Sequence, residues 1–153
     1  MTTDKTERTH RKARAIGINH VALEVGDIDA ALAFYGQFLT FELRAKSETM
    51  AFIDLGDQFL ALTKAENRPR DAHRHFGLVV DDKDAVRRII DDMGIDIVSG
   101  RFLDFYDPWG NRIEIVSYDA IQFTKAENVL VGMGLKGLGK TAAARKELAE
   151  KGM

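Results

Sequence analysis

A twelve-residue pattern occurs twice in this chain and limits its fold more than any other feature. Asn19-His20-Val21-Ala22-Leu23-Glu24-Val25-Gly26-Asp27-Ile28-Asp29-Ala30 aligns with Arg74-His75-Phe76-Gly77-Leu78-Val79-Val80-Asp81-Asp82-Lys83-Asp84-Ala85, and His, Leu, Val, Asp, Asp and Ala coincide. A repeat of this kind marks one supersecondary unit used twice. Each copy opens with strand alternation and then, after an Asp suited to capping, takes up helical spacing. The spacing predicts helices over Ala30 to Phe38 and over Ala85 to Met93. Three short strand-like segments follow each helix, at about 41–46, 49–55 and 58–63, and at about 95–98, 101–106 and 111–117. Gly56-Asp57 and Gly110-Asn111 supply the turn before each last strand, where a positive φ is easily accommodated. The expected fold class is α+β, with two βαβββ modules forming a curved mixed β-sheet trough.

The domain reading follows from these elements. Residues 1–15 are a mobile charged arm that holds His10; residues 16–66 are the first module and 72–118 the second; residues 119–153 are a C-terminal extension. Glu66 to Asp71, with Arg68-Pro69-Arg70, reads as the linker. Lys140 to Lys151 reads as a short amphipathic helix, with Ala142, Ala143, Leu148 and Ala149 among charges. With 22 basic against 24 acidic residues, no polyanion partner is expected, so nucleic acid is not favoured. No apolar stretch approaches the roughly 18 residues that cross a bilayer, and Met1 to Ala15 lacks the apolar core of a secretory signal. The expectation is a cytoplasmic protein without a membrane partner. Cysteine is absent, so any metal must be held by His, Asp or Glu.

Strand parity selects the candidates, because alternate side chains point to opposite faces of a sheet. Val21, Leu23 and Val25 form the side a helix covers, which sends His20 and Glu24 to the other face. In the repeat Phe76 and Leu78 are covered, so His73, His75 and Gly77 share the opposite face; in the last strand Ile113 and Ile115 are covered and Glu114 is opposite. If the sheets curl into a trough, His20, His75 and Glu114 meet there. Two imidazoles and one carboxylate leave coordination positions open, which is the donor set of a catalytic metal site.

At this point the sequence resembles the vicinal oxygen chelate superfamily, which includes glyoxalase I, extradiol dioxygenases, methylmalonyl-CoA epimerase, the fosfomycin-resistance thiol transferases and the bleomycin-binding proteins. The resemblance spans about 16–118. It rests on Ile18 to Val25 with Ala33-Phe34-Tyr35, on His75 to Val80, and on Phe105-Tyr106-Asp107-Pro108-Trp109-Gly110-Asn111-Arg112-Ile113-Glu114-Ile115. It implies a divalent metal ion (Fe2+, Mn2+, Zn2+, Ni2+ or Co2+) on His20, His75 and Glu114, a small-molecule substrate, and a homodimer in which modules pair across chains. The family's first module often supplies a fourth ligand, whereas here the repeat alignment sets Leu60 opposite Glu114. Three ligands match the dioxygenase and fosfomycin-enzyme pattern. The hydroxyl and basic groups that surround a phosphonate in the latter are replaced by Ala22, His73, Phe102, Asp104 and Phe123, which disfavours that substrate.

The first functional expectation is a Lewis-acid site that chelates two adjacent oxygens of a small metabolite for lyase or isomerase chemistry. Glu24 is the candidate general base and His73 a substrate or secondary contact. Extradiol ring cleavage comes second, with His73 or Tyr106 as acid-base group although Tyr106 has covered parity; non-catalytic sequestration of a planar drug-like ligand comes third. Trp109 reads as a turn tip or packing contact. Gly134 to Thr141 satisfies the phosphate-loop pattern, and Gly132, Gly134 and Gly137 the dinucleotide fingerprint, but no sheet is available to carry either. These glycines read as a flexible connector.

Overall fold

The computed structural model describes residues 12–153; His10 lies outside the described residues. The first module runs β1 (His20–Val25), α1 (Ile28–Tyr35), β2 (Leu43–Lys46), β3 (Met50–Asp54) and β4 (Phe59–Lys64); the second runs β5 (Phe76–Val80), α2 (Lys83–Asp92), β6 (Leu103–Tyr106) and β7 (Arg112–Ser117). A 3-10 turn at Tyr118–Ala120 leads into α3 (Glu127–Gly132) and α4 (Ala142–Glu150). The first sheet is ordered β1-β4-β3-β2 and the second β5-β7-β6. In each, the opening and closing strands of a module pair in parallel, and the remaining pairs are antiparallel. These are two βαβββ-like modules with mixed sheets, as the repeat predicts.

Both helices begin two residues earlier than expected. Asp27 and Asp82 are the caps, accepting from Ala30 N at 2.7 Å and Ala85 N at 2.9 Å. Asp29 and Asp84 therefore fall inside the first turn, where the helix dipole favours negative charge. The strand expected at 95–98 is not formed. Its only ladder-like bond is Val98 N to Asp104 O at 2.8 Å, and Gly94 and Gly100 at either side both take positive φ. The second sheet accordingly has three strands. Val129-Leu130-Val131, ahead of Gly132, Gly134 and Gly137, lies within α3.

The covered faces of both sheets and both helices share one apolar core that includes Leu23, Val25, Phe34, Ile53, Leu62, Ile90, Phe105, Ile113 and Ile115. Phe38 meets Phe105 edge to face at 5.5 Å, joining the modules. The extension is pinned to this body. Leu130 is buried, Lys125 pairs with Asp57, and the Lys140 ammonium donates to the carbonyls of Tyr118 and Phe123 while lying 3.5 Å over the Tyr118 ring. Burial lowers the Lys140 pKa from its ordinary value. The lysine of the phosphate-loop pattern is thus an anchor, and the element before the loop is a helix.

Gly56 and Gly110 occupy equivalent turns with φ of 85° and 84°. A Cβ on Gly56 would come within 2.7 Å of the Met133 sulfur, the movable end of a side chain; on Gly110 it would come within 2.8 Å of the Arg70 backbone. Both alanine variants carry the left-handed backbone penalty of roughly 1–2 kcal/mol. Gly110→Ala should cost more than Gly56→Ala in urea unfolding, because backbone cannot step aside as a thioether can. Equal losses would contradict the close approach of the linker to this turn.

Candidate metal centre

The parallel register of β5 and β7 sets Gly77 opposite Glu114, with His75 just ahead of β5. The backbone before His75 is fixed by the second module. Arg112 Nη1 donates to Ala72 O at 2.9 Å, Tyr106 OH to Asp71 O at 2.6 Å, and Arg112 N to the Asp71 carboxylate at 3.2 Å. His75 Nε2 then stands 3.4 Å from Glu114 Oε2.

His75 Nδ1 lies 2.9 Å from the His73 carbonyl oxygen, which can only accept, so Nδ1 carries a proton and Nε2 is the nitrogen turned to Glu114. At His20, Nδ1 meets Asn19 Oδ1 at 2.9 Å, and the ring stacks on Phe59 at 4.7 Å. Metal-ligating imidazoles are commonly oriented by such a bond on the other nitrogen. Ligands about 2.1 Å from one ion at a tetrahedral angle lie about 3.4 Å apart, which is the His75 to Glu114 separation. This pair fits a divalent cation.

His20 does not join them within the chain. Among the described residues no three His, Asp or Glu side chains are grouped closely enough to hold a metal ion. Glu24 and His75 do line one cleft of about 350 Å³, with Thr63, Arg68 and Arg74. The Glu24 carboxylate is paired with Arg68 Nε at 3.2 Å, and Arg68 also bonds Asp71 at 2.8 Å. The His73 imidazole is exposed, and His73 reaches the site through its carbonyl. A larger cleft of about 620 Å³ shares Glu24 and Arg68 but contains none of the three expected ligands.

The first module's counterpart of Glu114 is Ala61 and not Leu60. Ala22 pairs with Ala61 as Gly77 pairs with Glu114, while Leu60 is opposite Val21 on the covered side. The sequence alignment was one residue out. Neither side chain can ligate, so the absence of a ligand there stands.

Two features escaped the sequence reading. One is the buried Asp104–Arg112 pair beside Glu114, taken up below. The other is a network under the Asp-Pro-Trp-Gly-Asn turn: Tyr35 OH donates to Asp107 Oδ2 at 2.9 Å, and Asn111 Nδ2 donates to Asp107 Oδ2 at 2.6 Å and to Glu24 O at 2.9 Å. It clamps β1 to the turn that launches β7. Tyr35 is fully buried, and burial first, then the Asp107 charge and hydrogen bond, hold its pKa well above the usual value. With the folded pKa raised, this contribution is complete below about pH 10 and fades as pH climbs toward the folded value. Tyr35→Phe should therefore show a shallower loss of thermal stability above pH 10 than the parent. An identical alkaline slope would contradict this burial.

The arrangement defines a class: a duplicated βαβββ-like protein with an imidazole-carboxylate pair on a sheet face. The family model described as Glyoxalase/Bleomycin resistance protein/Dioxygenase superfamily matches residues 17–115, and the chain belongs to that superfamily. Among curated relatives, the metallothiol transferase FosB of Staphylococcus epidermidis is 27% identical over 128 residues, spanning 72% of this chain and 90% of the relative. Among solved structures, a lactoylglutathione lyase from Agrobacterium tumefaciens is 25% identical, with a TM-score of 0.53, over 69% of this chain and 96% of its own. The fosfomycin resistance protein FosX of Listeria monocytogenes, at 17% identity and a TM-score of 0.58 over 68% of this chain and 92% of its own, shows the shared fold. These relatives support a catalytic or ligand-binding role at the level of the superfamily, on a small molecule. No described helix is long and apolar enough to cross a membrane.

Proposed function

We propose that the protein is a divalent-metal-dependent enzyme that binds a small oxygenated substrate through two adjacent oxygens and carries out lyase or isomerase chemistry. The observation that carries this reading is the His75–Glu114 pair, with the proton of His75 fixed on Nδ1 and its Nε2 turned to the carboxylate. His20 is the third ligand and comes from a second copy of the chain. In support, its Nδ1 is likewise engaged, it is exposed, and Phe59 and Phe52 beside it form an aromatic surface on the same face of the first sheet. A bound cation would act as a Lewis acid at neutral pH. Glu24 is the proton acceptor at the edge of the same cleft and is released for that role as substrate displaces Arg68; His73 holds His75 in its tautomer.

Metal-dependent thiol transfer is a second reading, favoured by the FosB and FosA names of the curated relatives. Against a phosphonate substrate, Asp104 at one of the expected anion-contacting positions is itself an anion, fully paired.

The test is elemental analysis of protein purified without chelator or affinity tag, followed by turnover assays on the loaded protein. The reading predicts a stoichiometric divalent metal and conversion of an α-hydroxy-carbonyl or thiohemiacetal-type substrate. Iron-dependent oxygen uptake with catechols would instead support ring cleavage. Tight ligand binding by metal-free protein without turnover would support sequestration.

A further inference from the structure

We propose that Asp104 is a positioning residue for this metal half-site: it holds the Arg112 guanidinium off Glu114, leaving the Glu114 carboxylate for His75 and a cation. The inference rests on the reading of His75 and Glu114 as ligands.

The antiparallel register of β6 and β7 sets Asp104 directly opposite Glu114. Two carboxylates facing each other across a ladder repel. Arg112 lies two residues before Glu114 on β7, and so shares its face. An arginine placed this way has two anions to choose between, and its choice decides whether Glu114 is available. In the structure it is committed to Asp104. Nε donates to Asp104 Oδ2 at 3.0 Å, Nη2 donates to the same oxygen, and Nη1 is taken by Ala72 O. Asp104 is only 2% exposed, and its other oxygen is occupied by the Ser99 hydroxyl at 2.7 Å and the Ser99 amide at 3.1 Å. Both oxygens of Asp104 are therefore engaged, by Ser99 and by Arg112, and each guanidinium nitrogen of Arg112 makes a bond to Asp104 or Ala72. Glu114 is left with His75 as its contact.

A buried pair broken on one side leaves an uncompensated charge that seeks a new partner. If Asp104 loses its charge, the next anion on that face is Glu114. An Arg112–Glu114 pair would compete directly with a cation. The alternative is that Asp104 and Arg112 merely brace β6 against β7, and a double replacement separates the two roles.

The experiment is titration of the apo-protein with Co2+, followed by its visible absorption, in parallel with thermal unfolding to confirm folding. Asp104→Asn is expected to bind Co2+ at least about 10-fold more weakly than the parent, within the range seen when groups that orient ligands are removed. The double variant Asp104→Asn, Arg112→Gln is expected to bind at least about 3-fold more tightly than the single variant, as the competing cation is gone, while staying short of the parent because the Arg112 bond to Ala72 is lost with it; a bracing role would leave it at least as weak as the single variant. Parent-like binding by folded Asp104→Asn, or a double variant no better than the single, overturns the proposal. Should Asp104→Asn not fold, the double variant is compared with Arg112→Gln alone: with the arginine gone, Asp104→Asn is expected to cost no further affinity, and a further loss of about 10-fold overturns the proposal equally. A parent protein that takes up no Co2+ removes the ligand reading itself, and this inference with it, which is a distinct result from unchanged uptake in the variant.

Discussion

His75→Ala and Glu114→Gln are each expected to weaken divalent-cation binding by at least about 100-fold, since loss of a direct ligand should exceed the 10–100-fold typical of losing a supporting group. Neither change should unfold the protein, because the His75 side chain is 44% exposed and that of Glu114 22% exposed, outside the shared core. Binding to the folded state raises its stability by mass action. A cation in excess should thus raise the thermal midpoint of the parent and leave both variants where they were. Glu114→Gln is the sharper test, because it keeps shape and removes only charge. Calorimetric titration would show it, and parent-like affinity in either variant would remove that residue from the ligand set.

The second large effect is on folding. Asn111→Asp is nearly isosteric, yet it should destabilise the protein by about 3–5 kcal/mol at neutral pH, the scale for an uncompensated buried charge. Asn111 is fully buried, and its Nδ2 is the donor shared by Asp107 Oδ2 and the Glu24 carbonyl. An aspartate would set a second anion against Asp107 and present two acceptors to groups that only accept. The new carboxyl would have a raised folded pKa, so protonation restores its donor. Its penalty should shrink as pH falls and grow as pH rises through neutrality. Urea unfolding of parent and variant at pH 5 and pH 8 measures this, and a pH-independent loss below about 1 kcal/mol would show that the clamp contributes no more than an ordinary hydrogen bond.

What could be read from the sequence follows from how local each signal is. The His-to-Ala repeat encodes two similar strand-helix units, and their caps, parity and positive-φ turns all depend on neighbours within a few residues. Those features are found at Asp27, Asp82, Gly56 and Gly110. Register is a pairing between distant strands, and the one-residue error between Leu60 and Ala61 has that origin. Ile95 to Val98 carry strand-like composition but lack a partner along most of their length. The tail was read by motif, and motif matching could not foresee Lys140 packed over Tyr118. Arg68 was invisible for a related reason: it lies in a stretch that reads as linker, yet it bridges Glu24 on β1 to Asp71. That His75 and Glu114 would come side by side was legible because they lie just before and within paired strands of a single module. His20 belongs to the other sheet, and parity alone says nothing of which copy of the chain it faces.

That question has a direct measurement. His20→Ala and Glu114→Gln chains carrying different tags can be co-expressed, the mixed dimer isolated, and its tightly bound metal counted beside dimers of each variant alone. A site shared between copies in a symmetric pair predicts that each variant alone is empty, while the mixed dimer, with one site rebuilt from unmutated residues of both chains, holds about half the metal of the parent. A mixed dimer as empty as its parents would contradict a cation bridged by His20 of one copy and by His75 with Glu114 of the other.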